Sequence, residues 1–94
     1  MSGQPALIAG SGNRALARAV GDELRTGLLP ARTESFPDGE LHVTVGADVR
    51  DLDVYVLQPT GPPAERNLFE LLLLGDACRR AGARRITAVL GVSI

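Results

Sequence analysis

Phe36-Pro37-Asp38-Gly39-Glu40 gathers an aromatic ring and two carboxylates around a tight turn. The face of a phenyl ring stacks well on a purine, and carboxylates accept hydrogen bonds from a purine's exocyclic amino group. A loop presents such groups outward while the flanking strands fix them in place. The same residues have a plainer use, since Asp-Gly between two apolar runs is a hairpin signal. Phe36, Asp38 and Glu40 are therefore the candidate binding residues, weighed against a simple chain reversal.

A second stretch suggests nucleotide chemistry. Gly10-Ser11-Gly12-Asn13-Arg14-Ala15 fits the dinucleotide fingerprint with alanine in its last place, and Glu34 stands near the distance of a ribose-binding acid. In a dinucleotide fold, however, the second strand leads into a crossover. Here a Pro-Asp-Gly turn and an alternating strand intervene, and any tight strand-to-helix turn favours glycine. A small dinucleotide binder is kept as an alternative; it predicts an NADH fluorescence shift that Gly12→Val abolishes.

Other chemistries find little support. All ten basic residues are arginine, which removes a P-loop or Schiff-base lysine. The single cysteine, Cys78, supports neither a disulfide nor a metal site and reads as a small buried thiol. His42, the only histidine, lies on an alternating strand and reads as a surface residue. No catalytic residue and no metal ligand is assigned.

Strands alternating with helices must position these groups. Leu7-Ile8-Ala9 reads as a buried strand ending in the glycine turn, and Asn13 is placed to cap the next helix. Leu16, Ala17, Val20 and Leu24 recur on its apolar side, with Gly27 and Pro30 expected to stop it. Arg32 to Phe36 forms a second strand. Leu41, Val43 and Val45 alternate with His42 and Thr44 in a third, which must run antiparallel because the turn is too short for a crossover. Asp53 to Gln58 is a central strand, Ala64 to Arg80 the strongest helix, and Ile86 to Leu90 a last strand. The helix is apolar on most sides, so burial is expected against the sheet and against another chain or domain. An α/β sheet results.

The chain has 94 residues, 45% of them apolar, and a formal net charge of −1. Such a length is one domain at most, and the charge argues against a generic nucleic-acid binder. The first residues lack a signal peptide's basic and apolar regions. The run Leu71 to Leu74 is far too short to cross a bilayer. A soluble cytoplasmic protein, binding neither nucleic acid nor membrane, is the expectation.

Taken in order, Phe36-Pro37-Asp38-Gly39-Glu40-Leu41-His42-Val43, Val49-Arg50-Asp51-Leu52-Asp53-Val54-Tyr55-Val56-Leu57-Gln58-Pro59-Thr60, Asn67-Leu68-Phe69-Glu70-Leu71-Leu72 and Asp76-Ala77-Cys78-Arg79-Arg80-Ala81 resemble the amino-terminal part of ribose-phosphate diphosphokinases. The resemblance runs in register from about Leu7 to Leu90. It implies a phosphoribosyltransferase-like α/β fold, with a mostly parallel sheet, one antiparallel strand and flanking helices. It further implies transfer of a pyrophosphoryl group from Mg-ATP to ribose 5-phosphate. In that family the loop matching Phe36, Asp38 and Glu40 holds the adenine of ATP in a neighbouring subunit's active site. Arg50 falls near a phosphate-sensitive effector site, or is an ordinary exposed strand-entry charge.

The resemblance also marks departures. Where the family continues after its last matching strand with an arginine-bearing segment, this sequence has Gly91-Val92-Ser93-Ile94. The family's metal-associated histidine, basic loop and acidic ribose-phosphate loop have no counterpart here. Residues 1–94 are therefore expected to be a partial, truncated amino-terminal domain, inactive alone, which supplies the adenine loop and subunit contacts. Homo-oligomerisation or association with a full-length homologue is expected. A non-catalytic interaction module of the same family is the second expectation.

Overall fold

The apolar strand at the start of the chain pairs not with its neighbour in sequence but with one nearly fifty residues on. A computed structural model describes residues 3–59 and 61–91. Its elements are β1 (Pro5–Ala9), α1 (Arg14–Leu24), β2 (Ala31–Ser35), β3 (Leu41–Val45), β4 (Asp53–Pro59), α2 (Ala64–Arg80) and β5 (Arg85–Gly91). Three strands form a parallel sheet in the order β1-β4-β5, with Ala6 opposite Val54 and Val54 opposite Ile86. The remaining two, β2 and β3, form a separate antiparallel ribbon. The antiparallel strand inferred from the short turn is thus present, hydrogen-bonded to β2 alone.

Side-chain alternation along a strand sends successive residues to opposite faces, and the core divides accordingly. Ile8, Val54 and Val56 point to one face and pack with Val49, Leu74 and Cys78. Leu7, Ala9 and Leu57 point to the other and meet Ala17 of α1. The ribbon joins the first layer, where Ala31, Val43 and Val45 rest against the α2 cluster. Burial pushes the Cys78 thiol up from its ordinary pKa, as suits a packed thiol rather than a nucleophile.

The ends of the helices have local causes. Asn13 caps α1 as expected, its side-chain oxygen accepting from Leu16 N at 2.9 Å. The other end differs from expectation: Arg25 (φ 55°) occupies the left-handed cap position, two residues before Gly27. Arg25 N donates to Asp22 O and Thr26 N to Gly21 O, so the last carbonyls are satisfied before the glycine is reached. At the end of α2, Asp76 pairs with Arg79 at 2.8 Å and Arg80 at 2.9 Å. The hydrogen bond from Arg79 leads the causes that lower its pKa.

Helix α2 departs from burial on most sides. Asn67, Glu70, Leu71, Leu74 and Cys78 form its buried stripe, while Leu68, Phe69 and Leu72 are 53%, 51% and 62% exposed. No helix is long and apolar enough to cross a membrane among the described residues.

Candidate functional site

Backbone pairing makes the Phe36–Glu40 segment a true hairpin. Phe36 N donates to Glu40 O and Gly39 N to Phe36 O, both at 2.9 Å, leaving Pro37-Asp38-Gly39 as a three-residue loop. Gly39 takes φ +89° there, the left-handed position where such loops favour glycine. Asp38 Oδ1 accepts from Glu40 N at 3.0 Å, an Asx-type contact that stiffens the bend.

The hairpin reading and the outward-facing reading are therefore compatible. Every residue from Phe36 to Glu40 is exposed, and the Phe36 ring is 41% exposed. Phe36 and Glu40 sit opposite each other at the end of the ribbon, and both lie against His42. The Phe36 and His42 rings are 4.7 Å apart at an interplanar angle of 68°, an edge-to-face arrangement. His42 Nε2 is 3.5 Å from Glu40 Oε1. Asp38 is joined to this group through the Glu40 backbone. His42 is exposed, as expected for a surface residue, but its contacts with Phe36 and Glu40 were missed. Period-two spacing from Glu40, combined with the cross-strand position of Phe36, is the signal that could have found them.

Arg50 lies elsewhere. It follows the end of β3 farther from the hairpin tip, with its amide donating to Asp48 Oδ1 at 3.0 Å. A side-chain carbon added at Gly82 would stand 3.5 Å from Arg50 Cγ. The adjacent Asp51 N donates to Gly82 O at 3.0 Å. Arg50 is thus exposed where the loop before β4 meets the loop after α2, apart from the hairpin tip.

The glycine turn is occupied by the protein itself. Glu70, with no exposed surface, accepts from Ser11 N at 2.8 Å and Ser11 Oγ at 2.9 Å. It also accepts from Thr33 Oγ1, Gln58 Nε2 and Arg66 Nη1. Gln58 Oε1 takes the Gly12 amide at 3.2 Å, and Leu57 O takes the Gly10 amide at 2.9 Å. All three amides that a pyrophosphate would use are bonded, with a carboxylate against the loop. Glu34 sits on the outer face of the ribbon, paired with Arg32 at 3.6 Å, and β2 is not in the parallel sheet. The dinucleotide alternative loses its site on these grounds.

Desolvation alone would raise the Glu70 pKa. The hydrogen bonds from Thr33, Ser11 and Gln58 outweigh it, so the carboxyl stays below its ordinary value and ionised. Arg66 extends the network, reaching Ser11 Oγ and Ser35 Oγ at 3.3 Å. The glycine turn, α2 and the base of the ribbon are thereby tied together one residue before Phe36.

Comparison with known proteins gives the hairpin and the fold a common context. The sequence model for the N-terminal domain of ribose phosphate pyrophosphokinase matches residues 5–92. A ribose-phosphate pyrophosphokinase from Gloeobacter violaceus is 50% identical over 84 residues, covering 89% of this chain and 25% of that protein. Chloroplastic ribose-phosphate pyrophosphokinase 2 from Spinacia oleracea is 46% identical over 84 residues, or 89% of this chain and 21% of that protein. The crystal structure of phosphoribosylpyrophosphate synthetase from Mycobacterium smegmatis superposes with a TM-score of 0.88 at 36% identity, covering 93% of this chain and 29% of that one. The chain spans about a quarter of the length of these relatives. A family match over nearly all of the described residues, with the parallel sheet and the separate ribbon both in place, puts this chain in the ribose-phosphate pyrophosphokinase family, within its amino-terminal domain.

Proposed function

We propose that this chain contributes the adenine-binding loop and subunit contacts of a ribose-phosphate pyrophosphokinase, the whole of which moves pyrophosphate from Mg-ATP to ribose 5-phosphate. Phe36 stacks on the base, while Asp38 and Glu40 accept hydrogen bonds from its edge. The observation that carries this reading is the outward-facing ring and carboxylate pair on a stiffened hairpin. All residues of the tip are exposed, so a base on Phe36 needs a second wall, which a neighbouring subunit would supply.

Positioning and charge neutralisation dominate transfer of phosphoryl-type groups. No three histidine, cysteine, aspartate or glutamate side chains form a metal-holding group among the described residues. In this reading magnesium arrives as part of the nucleotide substrate, and the part assigned to this chain is to bind the base. Arg50 is proposed as a contact for a phosphate-bearing effector, supported by its exposed position beside Gly82.

Titration calorimetry of the chain with Mg-ATP tests the adenine reading. Base–aromatic stacking contributes about 1–3 kcal/mol by alanine substitution, so Phe36→Ala should weaken binding roughly ten-fold or more. A Phe36→Ala chain that binds ATP as well as the parent would overturn the proposal. A coupled assay for phosphoribosyl pyrophosphate should detect no turnover by the chain alone.

A second reading, a non-catalytic interaction module, is favoured by the apolar surface of α2. Leu68, Phe69 and Leu72 stand exposed beside a cavity of about 380 Å³ lined by Val56, Leu71, Leu72, Ile86 and Ala88. On β5, Leu90 is 53% exposed and the strand has no outer partner among the described residues. An open edge and an apolar patch both invite association. Light scattering after size exclusion should show an oligomer that Leu72→Asp dissociates, with little change in fold stability because Leu72 is already exposed. A clean parent monomer at micromolar concentration would count against this surface as an interface. Co-purification with a full-length homologue, lost in Leu72→Asp, would favour the module.

A further inference from the structure

One face of the β2–β3 ribbon packs on α2, and nothing from the core reaches the other. That outer face carries Arg32, Glu34 and Phe36 on one strand and its extension, and Glu40, His42 and Thr44 on the other, all exposed. A phenyl ring at the end of such a ribbon has only its stripe neighbours to limit its rotamers. For Phe36 the neighbour in contact is His42, the diagonal position across the ladder, within reach of an aromatic side chain.

We propose that His42 is a positioning residue for the adenine-binding tip, setting the Phe36 ring upright and holding one oxygen of Glu40; this inference rests on the adenine reading above. The edge-to-face contact at 4.7 Å and 68° braces the ring against one side. His42 Nε2 stands 3.5 Å from Glu40 Oε1, which sets the imidazole beside one carboxylate oxygen and leaves Oε2 open to the base. A carboxylate has lone pairs enough for both contacts. Order supplied before binding reduces what the nucleotide must impose.

The other charged groups near this face are already engaged. Glu34, opposite His42 in the register, pairs with Arg32 at 3.6 Å. Asp38 Oδ1 is taken by the Glu40 amide. On the opposite face of the ribbon, Arg66 of α2 is directed to Ser11, Ser35 and Glu70 rather than to His42.

The test compares the 94-residue parent with H42A, H42F and F36A. Carbon–proton NMR follows the Phe36 ring and the Glu40 side chain without nucleotide, and calorimetry measures ATP affinity. In the parent, the Phe36 ring should show cross-relaxation with the His42 ring, and the Phe36 and Glu40 side-chain signals should move when His42 is replaced by alanine. For ATP, H42A should bind roughly three- to ten-fold more weakly, the scale of one aromatic pair. H42F should recover most of that affinity through its ring contact.

Phe36 and Glu40 signals that ignore replacement of His42 would overturn the inference whether or not ATP binds. ATP affinity that falls in F36A but stays unchanged in H42A would overturn it too, while leaving the adenine reading intact. Unchanged affinity in F36A would overturn the adenine reading and, with it, His42's role at a nucleotide site.

Discussion

Replacing Glu70 with alanine is expected to remove about 3 kcal/mol or more of folding stability, near the lower end of the cost of breaking a buried ion pair. Glu70 is fully buried yet accepts from Ser11, Thr33, Gln58 and Arg66. Removing the carboxylate leaves buried donors without an acceptor, and each costs more unsatisfied than its bond was worth. Part of Arg66 reaches solvent, so its guanidinium recovers some hydration, which is why the lower end applies. A domain of this size has roughly 5–14 kcal/mol in all. The loss should lower Tm by on the order of 12 °C or more.

The same carboxylate sets an acid limb. Its folded pKa is lowered below the ordinary 4.5. A depressed folded value means that the unfolded chain takes up the proton first as pH falls. The contribution of Glu70 is therefore complete above about pH 5, and is lost progressively as pH falls through 4.5 toward the folded value. Urea unfolding followed by circular dichroism should show this limb in the parent and a shallower one in Glu70→Gln. Glutamine keeps the shape but offers one acceptor oxygen and turns an amino group toward existing donors. Glu70→Gln as stable as the parent at pH 7, with an unaltered acid limb, would remove Glu70 from the centre of the fold.

How far such features can be read from residues depends on how far apart their partners lie. The hairpin is encoded within five residues, and Asn13 caps a helix that begins at the next residue. Both were legible because their hydrogen bonds span two to four positions. Glu70 was not, since only Arg66 lies within one helical turn of it and its other partners are 59, 37 and 12 residues away. The available signal was a lone carboxylate inside the run Asn67-Leu68-Phe69-Glu70-Leu71-Leu72. Periodicity located α2 from Ala64 to Arg80, but leucines around most of its circumference could not say which ones meet the core. Leu71 and Leu74 do because they share a stripe with Asn67 and Cys78, and that stripe is fixed by the sheet. Likewise, the antiparallel direction of β3 follows from a short loop. Its separation from the parallel sheet depends on β1 pairing with β4, which no local signal carries.

Gly10→Ala should be the second most damaging change, and it separates two explanations of the same glycine. If Gly10 served a bound pyrophosphate, alanine would weaken nucleotide binding and leave stability largely intact. The structure gives it a different neighbour: a methyl group there would fall on the carboxamide of Gln58. That carboxamide cannot swing away without loss. Gln58 is 1% exposed, donates to Asn67 O at 3.1 Å and to Glu70 Oε1 at 2.8 Å, and accepts from Gly12 N. Overpacking costs about 1–3 kcal/mol, and displacing a hydrogen bond to a charged acceptor adds roughly 1.5–3 kcal/mol. A destabilisation of about 3 kcal/mol is therefore expected by urea unfolding. Gln58→Ala should also destabilise the chain, but Gly10→Ala on that background should cost much less than it does alone, because the clash has gone. The shortfall is a coupling energy that a double-mutant cycle measures. NADH fluorescence should be unchanged by the parent chain throughout. Additive losses in the cycle, together with an NADH signal that Gly10→Ala abolishes, would instead return the glycine turn to a nucleotide; a strong coupling with no such signal ties it to Gln58 and through Gln58 to Glu70.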